Sequence, residues 1–227
     1  ARVHPGPSNA KLTWFKDWLK RLWIVAPNPR VMASETRADE EDPSRELANF
    51  ASWYAHSVQE YPNALEDYLE SLRSLIGGFQ ELVLKRSGEQ SRTLKLSLSA
   101  EPGDAPKPST SPYRFDELSD GQRMLIGLYA LLHFGRASGA TLCIDEPDNF
   151  VALAEIQPWL IGLRDCVEET KGQALLVSHH PEVINYLAPT SGLLLVRESG
   201  GPTRVRDFTT DPHSGLSAAE MIARGGE

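Results

Sequence analysis

The chain has 227 residues, 41% hydrophobic and 24% charged, which is enough apolar material for a core and excludes bulk disorder. Its formal charge of -8, from 31 acidic against 23 basic residues, argues against broad nucleic-acid binding through a basic surface and leaves room only for a local patch. No apolar run reaches the roughly 18 residues that span a bilayer, and the first residues show no secretory leader pattern.

Residues 11–25, KLTWFKDWLKRLWIV, place Trp14, Trp18, Leu19, Leu22 and Trp23 at helical spacing, with Lys11, Lys16, Asp17 and Lys20 opposite. The spacing predicts one amphipathic helix whose Trp-rich face packs into a core or docks on a partner segment. The prolines of APNPR stop it. The charge run 35–46, ETRADEEDPSRE, reads as a solvated loop rather than a metal site. Helical patterns follow over 46–60 and 62–76, the second led by Pro62 and ended by Gly77-Gly78. The period then changes to alternation, and FQELVLKRS and RTLKLSLSA predict an antiparallel hairpin turning at Gly88. Residues 101–112 hold four prolines and read as a loop or linker.

From residue 113 strands and helices alternate. Helices are predicted at 121–134, near 152–170 and at 181–187; strands are predicted at 140–145, 173–178, 192–197 and 203–208. This is the pattern of an α/β fold with a mostly parallel central sheet, preceded by a helical segment and a β-hairpin. It divides the chain into a helical arm or lid (1–80), a hairpin and Pro-rich linker (81–112), and an α/β lobe (113–227). The two cysteines, Cys143 and Cys166, lie in apolar or helical contexts and read as reduced, buried thiols of an intracellular, cytoplasmic protein.

Three stretches of the lobe carry chemistry. TLCIDE (141–146) is an apolar strand ending in two carboxylates. Parallel strands present functional groups at their C-terminal ends, so Asp145 is placed to hold Mg²⁺ and Glu146 to orient or deprotonate an attacking water. LSDGQR (118–123) puts Ser119 or Asp120 at a helix N-cap, with Gly121 allowing close backbone approach. The apolar helix that follows must be buried, which fixes its N-terminus as a rigid anion site. ALLVSHHPEVI ends a strand in Ser178-His179-His180 before a Pro-led helix. An extended backbone cannot aim both imidazoles into one site, so one of them is a bystander. Each stretch alone has an ordinary structural explanation: an acidic turn, a capped core helix, a surface histidine. Their order and spacing together are specific.

Together they resemble the C-terminal part of ABC-type ATPase heads. Leu118-Ser119-Asp120-Gly121-Gln122 is similar to the signature motif, Asp145 with Glu146 to Walker B, Asn149–Leu153 to the D-loop, and the histidine pair to the switch. SHHPEVI is similar to the form found in bacterial AAA-domain ATPases related to the RecF, SMC and overcoming-lysogenization-defect proteins, which puts His179 in the switch position. The resemblance covers residues 113–210 and is general before them. It implies a partial P-loop NTPase fold in which Asp145 helps hold Mg²⁺, Glu146 activates water and His179 senses the γ-phosphate. Ser119, Asp120, Gly121 and Gln122 would reach ATP held by a second protomer, in a homodimer closed around the nucleotide, and DNA or an effector protein would be the further partner.

The family's G-x-x-x-x-G-K-[ST] loop, whose amides and Lys grip phosphate, does not occur in these residues. The nearest string, GPSNAKLT (Gly6–Thr13), lacks the second glycine and has Leu12 where a hydroxyl should follow Lys11. Because the chain opens on Ala1 rather than Met, the expectation is that this loop lies upstream and that the 227-residue chain alone is inactive. A degenerate head without hydrolysis is the alternative. Two rival functions are a non-catalytic interaction module docking through the Trp-bearing helix, and a transporter's nucleotide-binding subunit. The SHHPEV form and the segment before the signature disfavour the transporter.

Overall fold

The computed structural model describes residues 9–99, 110–197, 200–210 and 214–224. The segment predicted as a single helix over 11–25 is two elements: helix α1 (Ala10–Lys20) and strand β1 (Leu22–Val25). Trp23 and Val25 are buried while Ile24 between them is 61% exposed, the period-two burial of a pleated strand. β-Branched Ile24 and Val25 favour that geometry, and pairing with a second strand outweighs the helical spacing that runs on through Leu22 and Trp23. The helix buries no residue and Trp14 is 66% exposed, so Trp23 enters the core from a strand and not from a helix face.

β1 is an outer strand of a parallel sheet ordered β1-β6-β7, with β6 at Thr141–Asp145 and β7 at Ala174–Val177. The predicted hairpin forms as β3 (Phe79–Arg86) and β4 (Arg92–Ser99), antiparallel. The other edge of β4 is shared by β2 (Glu35–Thr36) and β5 (Thr110–Arg114). Pro112 therefore lies inside a strand rather than in a linker, as an edge position permits. Residues 100–109 of the predicted linker lie outside the described residues. A third pair, β8 (Leu193–Arg197) and β9 (Thr203–Asp207), is antiparallel. The α/β class and the parallel sheet hold, but that sheet is three strands wide among the described residues.

Helix α4 (Asp120–Ser138) is the centre of the core. From Met124 to Leu132 every residue is buried, as the all-apolar run requires. Helices α2 (Phe50–Glu60) and α3 (Pro62–Leu75) pack into the same core, where Phe50 stacks on Phe115 at 4.9 Å and Tyr68 donates its hydroxyl to the Ile126 carbonyl at 3.1 Å. Helix α5 (Leu153–Thr170) is tied to α4 by the Trp159 indole N–H, which donates to the Leu128 carbonyl at 3.0 Å. Helix α6 (Pro181–Ser191) follows β7, and a short α7 (Ala218–Ala223), absent from the sequence-based assignment, packs against it. No helix among the described residues is long and apolar enough to cross a membrane.

Candidate functional site

The parallel register sets Asp145 opposite Val177 and brings the C-terminal ends of β6 and β7 side by side. The Glu146 N–H continues the ladder by donating to the Val177 carbonyl at 2.7 Å. Glu146 itself is left-handed, with φ 49°, in a conformation that costs a non-glycine residue about 1–2 kcal/mol. Its carboxylate is held from two sides. His179 Nδ1 lies 2.9 Å from Oε1, and Asn149 Nδ2 donates to Oε2 at 2.6 Å. Asp145, the residue before Glu146 in the chain, is exposed at the end of β6.

The two histidines divide as the chemistry of an extended turn demands. His180 is the N-cap of α6, and its Nδ1 accepts the Glu182 N–H at 3.2 Å. His179 turns to Glu146 instead, and its side chain is 79% exposed. With Nδ1–H engaged by the carboxylate, Nε2 is the nitrogen available to a ligand or a water. Beneath them the buried Asp148 accepts the Ser178 hydroxyl at 2.5 Å, and Ser178 Oγ accepts the His180 N–H at 3.0 Å.

The N-terminus of α4 resolves the choice left open by the sequence. Ser119, not Asp120, is the N-cap: its Oγ accepts the Gln122 N–H at 3.2 Å, and Gln122 Oε1 accepts the Ser119 N–H at 3.1 Å. This reciprocal capping box fixes the helix start. Asp120, the first helical residue, bridges two cations, Arg30 at 3.0 Å and Arg123 at 2.5 Å. The Arg30 guanidinium beside Asp120 holds its carboxyl below the usual carboxylate range. Arg30 also lies over the Phe150 ring at 5.3 Å, and a Cβ on Gly121 would stand 3.0 Å from the Phe150 carbonyl oxygen. The turn after β6 thus touches both Glu146 and the start of α4. Sequence patterns offer no sign of Arg30, which occupies a segment read only as a helix stop; Asn149 opens the stretch similar to the D-loop but has no role of its own there, and Asp148 and Ser178 appear merely as neighbours of the motif residues.

Among the described residues no three His, Cys, Asp or Glu side chains come together as a metal cage. That donor set fits Mg²⁺ only in the manner Mg²⁺ prefers with nucleotides, one carboxylate with water and phosphate oxygens completing the shell. Asp145, exposed at the end of β6, can supply such a carboxylate. The two cysteines are unbonded and half-buried, and burial raises both thiol pKa values.

No curated protein matches the chain. A protein-family model described as "AAA domain, putative AbiEii toxin, Type IV TA system" matches residues 33–185, from the first strand of the antiparallel sheet into the first half of α6. The chain belongs to this AAA-domain family.

Proposed function

We propose that the chain is the greater part of an ABC-type ATPase head that closes with a second copy around ATP and hydrolyses it. The observation that carries this reading is the Glu146–His179 pair at the ends of adjacent parallel strands, with Asp145 preceding Glu146 in the chain. Glu146 is the general base that takes a proton from the attacking water, His179 Nε2 contacts the terminal phosphate, and Asp145 holds Mg²⁺. Mg²⁺, when bound, neutralises phosphate charge. The capped start of α4, with Ser119, Asp120, Gly121 and Gln122, meets the γ-phosphate of the nucleotide on the partner subunit. The direct test is ATP turnover by the full-length protein as wild type and as Glu146→Gln.

The phosphate-gripping loop comes from outside these 227 residues. What supports this is the state of the parallel sheet. Trp23, Val25, Leu142 and Ile144 face the helices and are buried. On the other face Ile24, Cys143 and Leu175 lie in register, with Ile24 61%, Leu175 54% and Val177 56% exposed. Parallel sheets are covered on both faces. Strand β7 also has a neighbour on only one side among the described residues. A further strand and helix bearing the loop would complete that layer, and a strand parallel to β7 would deliver its C-terminal end beside Glu146 and His179.

The work driven by hydrolysis is a nucleic-acid repair or phage-defence process, with DNA or an effector protein as partner. Stimulation of turnover by DNA or RNA tests the nucleic-acid arm. One observation favours a second reading, an interaction module: α1 buries no residue and exposes Trp14, Phe15 and Leu19. A full-length protein that binds a partner through α1 and binds no nucleotide would establish it instead.

A further inference from the structure

We propose that Asp148 and Ser178 are positioning residues for the Glu146–His179 pair; this rests on reading that pair as the groups that act on nucleotide. Asp148 is 6% exposed, and a carboxylate is among the costliest side chains to take out of water. Its side-chain partner among the described residues is neutral, the Ser178 hydroxyl at 2.5 Å. A buried acid so placed does not serve the surface. It bolts the turn after β6 to the turn after β7.

The connections run to both functional side chains. Ser178, held by Asp148, accepts the His180 N–H at 3.0 Å and so shapes the turn on which His179 stands. Asn149, next to Asp148, donates to Glu146 Oε2 at 2.6 Å, and its N–H returns to the Glu146 carbonyl at 3.2 Å. Glu146 needs such support, because its left-handed backbone is one a glutamate does not hold unaided. Glu146 and Asp148, two of the three acids of DEPD, therefore differ in role. Glu146 faces the reacting groups, and Asp148 faces the scaffold that aims them. Cutting the Asp148–Ser178 bond frees the His179 turn to shift relative to β6, and a misplacement of about 1 Å lowers rates about 100-fold.

The test uses the full-length protein as wild type, Asp148→Ala, Asp148→Asn and Ser178→Ala. The two alanine variants are expected to lower kcat about 10- to 100-fold with KM for ATP within about twofold. Asp148→Asn is expected to recover most of the loss, because its amide oxygen still accepts from Ser178. Ser178→Ala removes the same bond while keeping the buried side chain in place, so it reports even where Asp148→Ala fails to fold. A second readout requires no turnover: the His179 imidazole NMR signals, assigned by their loss in His179→Ala, shift in the alanine variants and stay in Asp148→Asn. Unmoved His179 signals in Ser178→Ala, kcat within about twofold of an active wild type in that variant, or Asp148→Asn as impaired as Asp148→Ala would each overturn the proposal. Shifted signals in a protein whose wild type has no turnover uphold the positioning role and count against the nucleotide reading alone.

Discussion

His179 Nδ1 stands 2.9 Å from Glu146 Oε1, joining the ends of two neighbouring parallel strands through their side chains. The contact gives Glu146 an orientation and leaves the exposed face of His179 toward whatever binds there. If Glu146 is the base, Glu146→Gln keeps the shape and the Asn149 contact but cannot take a proton. We expect ATP turnover to fall by about 100-fold or more, with nucleotide affinity retained, in steady-state assays and binding titrations of the full-length protein. Equal loss of binding and turnover would argue that Glu146 is structural.

The histidine pair separates stability from chemistry. His180 caps α6, so His180→Ala is expected to cost about 1 kcal/mol in denaturant unfolding and to leave turnover nearly intact. His179 is exposed and caps nothing, so His179→Ala should leave unfolding within about 0.5 kcal/mol and depress turnover. Reversal of these two outcomes would exchange their roles.

A pH dependence follows from His133. Its Nε2 lies 2.9 Å from Ser71 Oγ, whose own hydroxyl donates to the Asp67 carbonyl, so the imidazole N–H is the donor in that bond. Burial is the main cause that holds His133 below the usual histidine range. The folded state therefore disfavours the proton that the unfolded state accepts. Its contribution is full above the unfolded value of about 6.5 and declines as pH falls through it. Unfolding midpoints measured from pH 8 to pH 5 should drop, and His133→Gln should flatten that step. An unchanged slope in the variant would remove His133 as its cause.

The face of the parallel sheet that is bare among the described residues makes a prediction about the layer proposed to cover it. Leu175→Lys and Val177→Lys alter residues exposed in this chain, so they should change its stability by no more than about 0.5 kcal/mol. In the full-length protein the same changes should destabilise by 2 kcal/mol or more, roughly the cost of burying an unpaired charge at a packed site. Equal, small effects in both would mean that nothing covers this face. The 227-residue chain alone should show no measurable ATPase activity, since no G-x-x-x-x-G-K-[ST] loop occurs in it.

Much of this arrangement is legible in local pattern. The all-apolar helix after Ser119, the apolar strand ending in Asp145-Glu146 and the Pro-led helix after His180 all form within a few residues of their predicted bounds. Those signals are short-range: capping, burial on all sides and proline geometry act through neighbouring residues. What the sequence could not reveal depends on partners distant in the chain. LWIV continues a helical spacing and becomes a strand because Thr141–Ile144 pairs with it. Arg30 joins Asp120 across ninety positions, and Asp148 finds Ser178 across thirty. No local period encodes such contacts.

The central claim is a site divided between two subunits, with Glu146 serving its own nucleotide and Ser119 serving its partner's. Mixing Glu146→Gln protein with Ser119→Arg protein, each inactive alone, tests it most directly. Random exchange yields half heterodimers, and each of these retains one intact site, so the account predicts recovery to about a quarter of wild-type ATP turnover. A mixture that stays as inactive as its components would contradict it.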